Sequence, residues 1–248
     1  MPHFNYAISE YEIRPDIPET YEWYWQRLAA PGSWWTGAER VAIAAEVRRA
    51  PDCEFCAERK EALSPYSLKG EHDSEPGSPL SPAAIDAVHR IVTDQTRITK
   101  SWIDSLADEG ISAEAYVELA GIVVAVFSID EFNRMLGLAP APLPASQPGE
   151  PTGYRPALED REIGFVPMLP RDGNVGAEAD LWGERGANVV RALSIVPDAV
   201  RDWFRISGAQ YLTPAGMANM VKDDNRVIDR MQMELIAGRV SAINQCFY

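Results

Sequence analysis

The sequence predicts an all-α protein, and three observations carry that prediction. Apolar residues recur at helical spacing through most of the chain, capping signatures stand where several of those runs begin, and prolines cluster between the runs. The 248 residues are 46% hydrophobic, enough to fill a sizeable core in one large domain or two small ones. A net charge of -14 repels phosphate backbones and anionic lipid, so neither nucleic acid nor membrane is expected as a partner. No stretch approaches the roughly 18 consecutive apolar residues of a spanning helix. The opening "MPHFNYAISEYEIRPD" lacks the basic start and apolar centre of a signal peptide, so a cytoplasmic protein is expected.

The first helix is expected in "PETYEWYWQRLAA", from Pro18, with aromatics and Leu28 at mixed spacing. The second, "TGAERVAIAAEVRRA", opens on Thr36 with Glu39 three residues on, the pattern of a capping box. Pro51 and Asp52 stop it, and a third, "CEFCAERKEAL", begins at Cys53 with Asp52 placed to cap its free amides. After a loop rich in Gly, Ser and Pro, Ser81 and Pro82 start "PAAIDAVHRIVTD". "KSWIDSLADEG" and the long "SAEAYVELAGIVVAVFSIDEFNRML" follow. The run "GIVVAVF" reads as buried helix because Tyr116, Leu119, Ile122, Phe132, Met135 and Leu136 keep helical period around it; Gly137 is the expected left-handed cap.

Prolines then become too dense for any helix, which marks residues 139–180 as a linker or wrapping loop between an N-terminal unit, 1–138, and a C-terminal unit, 181–248. Helical texture returns with "GANVVRALSIVPDAVRDWFRISGAQYL", where Pro197 sits at a helix start. It continues in "DDNRVIDRMQMELIAGRVSAIN", where Ile228, Met231, Leu235, Ile236, Val240 and Ile243 lie at roughly helical spacing.

Three cysteines are present, and Cys53 and Cys56 form a C-x-x-C that a reducing compartment would keep as thiols. That spacing points to redox or metal chemistry. Aligning Cys53 with Cys246 lays "EVRRAPDCEFC" over "RVSAINQCFY" without a gap, Val47 on Val240 and Phe55 on Tyr248, which suggests two repeats.

"MELIAGRVSAINQCFY" resembles the core motif of the alkylhydroperoxidase AhpD and carboxymuconolactone decarboxylase superfamily, approximately E-L-I/V-A-x-x-V-S-x-x-N-x-C-x-Y-C-x-x-x-H. Glu234, Val240, Ser241, Asn244, Cys246 and Tyr248 match it. The likeness extends over roughly residues 174–248, and "ERVAIAAEVRRAPDCEFCAERK" is similar more loosely, with Lys60 where the family has histidine. The resemblance implies a two-repeat helical bundle acting as a thiol-dependent peroxidase or disulfide oxidoreductase on a small hydroperoxide. A protein or small thiol would serve as reductant; no cofactor and no metal are expected, and the assembly would be a homo-oligomer. It also implies that Cys56 attacks the peroxide and Cys53 resolves the product. The family's next position after Tyr248 is a cysteine, and a selenocysteine there, giving C-x-x-U, is the expectation for the second site, of which Glu234 and Cys246 belong to the first half.

The residue types suit that chemistry. A cysteine in the first turn of a helix feels unsatisfied amides and the positive end of the macrodipole, and a sulfur three residues away shares its face. One thiol then attacks while the other resolves a sulfenic acid. If the chain folds back at Pro51 and Asp52, Glu46 lies about 9 Å along one helix and Lys60 about 12 Å along the next, close enough to work as acid and base. Glu39 is left as the helix cap.

Other readings compete. Zinc would need His72, His89 or Cys246 to complete a four-ligand set with the two cysteines. His72 could swing from its loop to replace the family histidine, whereas His89 reads as a packed or surface helix residue. A lactone-decarboxylating lyase using histidine and glutamate is the rival enzyme class. A degenerate repeat that serves the fold and an oligomer interface is the non-catalytic one. Trp23, Trp25, Trp34 and Trp35 would line a substrate pocket or join the core, and Glu54, Glu58, Arg59 and Glu61 read as a solvated face.

Overall fold

The computed structural model describes residues 3–184, 186–218 and 226–244. Among them the regular structure is helical, and the only strand-like pairing is an isolated bridge between Asp160 and Met168. The helices are α1 (Asp16–Ala29), α2 (Gly37–Arg49), α3 (Glu54–Glu61), α4 (Pro82–Thr93), α5 (Lys100–Ser105), α6 (Ala113–Met135), α7 (Asn188–Arg191), α8 (Pro197–Gln210), α9 (Pro214–Ala218) and α10 (Arg230–Ile243).

Local sequence chemistry sets most of these boundaries. Thr36 and Glu39 form the expected reciprocal capping box, and Ser81 accepts the Ala84 amide. Leu136 ends α6 and Gly137 follows at φ +72°, a left-handed position that glycine occupies without strain. Two expectations are corrected. The N-cap of α3 is Cys53 itself, with no side-chain cap from Asp52; the Glu54 amide instead donates to Asp73 Oδ2 at 3.4 Å. The helix expected from Lys100 breaks into α5 and a 3-10 turn, Leu106–Glu109, that ends at left-handed Gly110.

Helix α6 is the axis of the bundle. It packs on α2, α4 and α8, while α1 packs on α2 and α8. Leu119, Ile122, Val126 and Ile129 of α6 meet Trp25 and Leu28 of α1, Ile43 and Val47 of α2, and Val88 of α4 in one core. Ile206 and Ala209 of α8 belong to that same core, so the main hydrophobic cluster runs across the expected boundary. Residues 139–153 lie along α1 and the turn that follows it. Trp25 Nε1 donates to the Pro142 carbonyl at 2.9 Å, and the amides of Gln147, Thr152 and Gly153 donate to Ala29, Gly32 and Ser33. Trp25 and Trp35 are core residues, and Trp23 stacks beneath the guanidinium groups of Arg27 and Arg205. No single described helix is long and apolar enough to cross a membrane.

A charge pair sits inside this apolar interior. Arg40 of α2 and Glu118 of α6 are both buried and ion-paired, and Glu118 Oε2 also accepts the Trp34 amide at 2.6 Å. A Cβ on Gly32 would stand 1.8 Å from Glu118 Oε1, so only glycine lets the chain pass this close. The apolar face of α10 is different: Met231, Leu235, Ile236 and Val240 are exposed and Met233 alone is buried.

Removing one partner of a buried pair strands the other charge. Glu118→Ala is expected to cost about 3–5 kcal/mol in urea unfolding; a loss below about 1 kcal/mol would show that Arg40 finds another partner. At Asp202, burial pushes the carboxyl up to about 6 despite Arg27 Nε at 2.6 Å. Because the folded value exceeds the unfolded value of about 3.9, the folded state is favoured below that pH, and this contribution fades as pH rises through about 6. Asp202→Asn should therefore gain Tm relative to wild type between pH 4 and pH 7, read by differential scanning calorimetry over roughly that window.

Candidate functional site

The site forms where α2 ends. Ala50–Asp52 make a single 3-10 turn around Pro51, and the extended backbone at Cys53 starts α3 in a new direction. Cys53 is therefore the N-cap and Cys56 lies in the first turn, with both sulfurs on the side facing α4. Both residues are 2% exposed.

Helix α4 supplies the next groups. His89 points its Nδ1 at Cys56 Sγ, 3.2 Å away, and its Nε2 lies 3.1 Å from Glu46 Oε2 on α2. The same Glu46 accepts the Glu75 amide through Oε1, and both Glu46 and His89 are fully buried. One helical turn earlier, Asp86 accepts from Arg59 Nη1 at 2.5 Å and from Arg90 Nε at 2.7 Å.

The last group comes from the segment between α3 and α4. His72 lies with Nδ1 3.6 Å from Cys53 Sγ and 3.5 Å from Cys56 Sγ, and its Nε2 meets Asp86 Oδ1 at 2.9 Å. Its ring sits edge-on to Phe55 and 4.3 Å from the His89 ring. Gly70 makes that crossing possible, since a Cβ there would fall 2.4 Å from the Phe55 ring. The contacts of Asp73 with the Glu54 amide, Glu75 with Arg49 and the Glu75 amide with Glu46 hold the segment over the sulfurs.

These hydrogen bonds assign the tautomers. A carboxylate accepts only, so each imidazole donates its Nε2–H to Asp86 or Glu46 and turns the Nδ1 lone pair toward sulfur. Burial pulls His72 below the usual imidazole value in spite of Asp86, which favours this neutral form. Burial also pushes the Cys56 thiol up to about 12, assisted by the neighbouring Cys53. Asp86 is held well below the usual carboxylate range, its own burial outweighed by the donors His72, Arg90 and Arg59. The four donor atoms of Cys53, Cys56, His72 and His89 lie within 4.8 Å of one another, so the cluster is both a dithiol with two attached imidazoles and a set of metal donors.

Of the residues expected at the site, Glu46, Cys53 and Cys56 come together. Lys60 does not join them: its side chain is exposed on α3 and no hydrogen bond or ion pair ties it to the cluster. Glu234 lies exposed on α10, bonded to Tyr211 and Arg230. Cys246 lies outside the described residues. His89, expected as a packed or surface residue, is packed and holds the Cys56 sulfur as well. Arg59, read as part of a solvated face, is fully buried against Asp86 and Cys56, while Glu54, Glu58 and Glu61 are exposed as expected. Asp86 was not singled out in the sequence. Its signal was present: with His89 three residues on, it adds a polar stripe to a helix whose other inward positions are Ala83, Ala84, Ile85, Ala87 and Val88.

No family model matches the chain, and neither a curated protein nor a solved structure matches it.

Burial makes the thiols chemically quiet toward bulky reagents. In the native protein Cys53 and Cys56 should resist a large maleimide and label fully in urea, read peptide by peptide by mass spectrometry; rapid native labelling of either would show that the cover over the sulfurs is open.

Proposed function

We propose that the cluster is a thiol–disulfide redox centre that reduces a hydroperoxide or a comparable small oxidant. The observation that carries this reading is the contact of Cys56 Sγ with His89 Nδ1 at 3.2 Å, with Glu46 on the far side of the ring. That is a nucleophile touching a base whose orientation is set by a third group. The resemblance of "INQCFY" and its surroundings to the AhpD-like superfamily supports the same chemistry.

The steps balance within the cluster. His89 takes the Cys56 proton, and Glu46 stabilises the imidazolium that results. The Cys56 thiolate attacks the distal oxygen of a hydroperoxide, the O–O bond breaks, and the leaving alkoxide takes the proton from His89. Cys56 is now a sulfenic acid. His72, 3.6 Å from Cys53 Sγ, takes the Cys53 proton and passes it to the hydroxide that leaves when Cys53 attacks the Cys56 sulfur. Two thiols and one hydroperoxide thus become one disulfide, one alcohol and one water, and an external thiol restores the dithiol. Since the sulfurs are covered, a small oxidant gains access when the segment carrying His72 moves.

Adding one equivalent of cumene hydroperoxide to the reduced full-length chain should give one Cys53–Cys56 disulfide. Cys56→Ser should consume no peroxide, Cys53→Ser should leave a sulfenic acid that dimedone traps at Cys56, and His89→Asn should slow oxidation by about 10²-fold or more. Oxidation of the wild-type pair no faster than a free thiol would overturn the reading.

A further inference from the structure

We infer that Cys53, Cys56, His72 and His89 also form a closed, four-coordinate zinc site. The inference goes beyond the redox reading and does not rest on it, because it uses the positions of four lone pairs rather than the reactivity of two thiols.

The first support is metrical. Tetrahedral zinc, with Zn–S near 2.3 Å and Zn–N near 2.0–2.1 Å, places each sulfur about 3.6 Å from each nitrogen. Three of the four sulfur–nitrogen separations at the cluster are 3.6, 3.5 and 3.2 Å. All four donors lie within 4.8 Å of one another, so a small closing movement of the side chains would bring them onto one ion. Ordinary core packing has no reason to gather two sulfurs and two imidazole nitrogens around one point.

The second support is the outer layer. Both rings present Nδ1 to the centre and give Nε2–H to a carboxylate, Asp86 at 2.9 Å for His72 and Glu46 at 3.1 Å for His89. Zinc-ligating histidines are held this way, because the carboxylate fixes the tautomer and makes the ring a better donor. Arg59, bonded to Asp86 and 3.7 Å from Cys56 Sγ, adds a cationic contact to a sulfur that carries negative charge once metal is bound.

Donor type selects the ion. Two sulfurs and two imidazoles do not suit magnesium or calcium, which take oxygen ligands. Four protein donors in a buried site leave no open position, which is the arrangement of structural zinc. The ion would join the start of α3, helix α4 and the segment between them. It would also hold both sulfurs as thiolates, so metal and a Cys53–Cys56 disulfide are mutually exclusive.

The test uses the reduced full-length chain stripped with a chelator and titrated with Co2+, then Zn2+. The expected result is one Co2+ per chain with the intense visible bands of tetrahedral cobalt and a sulfur-to-cobalt charge-transfer band, displaced by one Zn2+ that also raises Tm. His72→Asn should lose the tetrahedral spectrum, and Asp86→Asn should keep it while weakening Zn2+ affinity about 10- to 100-fold. Pre-oxidation with cumene hydroperoxide should abolish binding. A weak octahedral spectrum, or no stoichiometric binding by the folded wild-type chain, overturns the zinc site. If disulfide formation persists in that case, the redox reading survives alone; tetrahedral binding without peroxide reactivity leaves zinc alone.

Discussion

The hydrogen bond between Glu46 and His89 is the constraint on which the site depends. Both residues are fully buried where α2 packs on α4, among Ala44, Val47, Ala84 and Val88. A carboxylate and an imidazole are costly in such surroundings unless each satisfies the other, so the two helices are held to one relative register. That register leaves a single imidazole nitrogen unspent. It faces Cys56, and the chemistry of the cluster begins there.

A second buried polar pair sets the frame around it. Arg40 and Glu118 join α2 to the central helix α6 and also hold the turn after α1 through the Trp34 amide. Arg40 and Glu46 stand six residues apart on α2, so one helix is pinned near its beginning to α6 and near its end to α4. Its C-terminal end, and the turn that launches Cys53, then have little freedom. The rigidity needed to hold sulfur against nitrogen at 3.2 Å comes from these pairings rather than from the short helix α3.

The redox and zinc readings share one physical basis. Burial favours the protonated thiol at Cys56, and a base or a cation beside the sulfur works against that preference. Imidazoles with their remote nitrogens tied to carboxylates can fill the first role and can help to hold the second. The segment carrying His72 matters to both, since it contributes a donor and also covers the sulfurs.

The sequence made most of the helices legible, because capping, proline placement and apolar period act over a few residues. Thr36 with Glu39, Ser81 with Pro82 and Gly137 could each be read in this way. It also pointed to Cys53 and Cys56 as a pair and to Glu46 as their acid or base, since the turn at Pro51 folds one helix back beside the next. Tertiary structure alone decided that Lys60 faces solvent, that Arg59 is buried, and that His72 and His89 converge on the sulfurs from 16 and 33 residues away. Those contacts cross a loop with no regular period of its own. Their geometry follows from the packing of α4 on α2, which buries one carboxylate and one imidazole in the same seam and makes them partners.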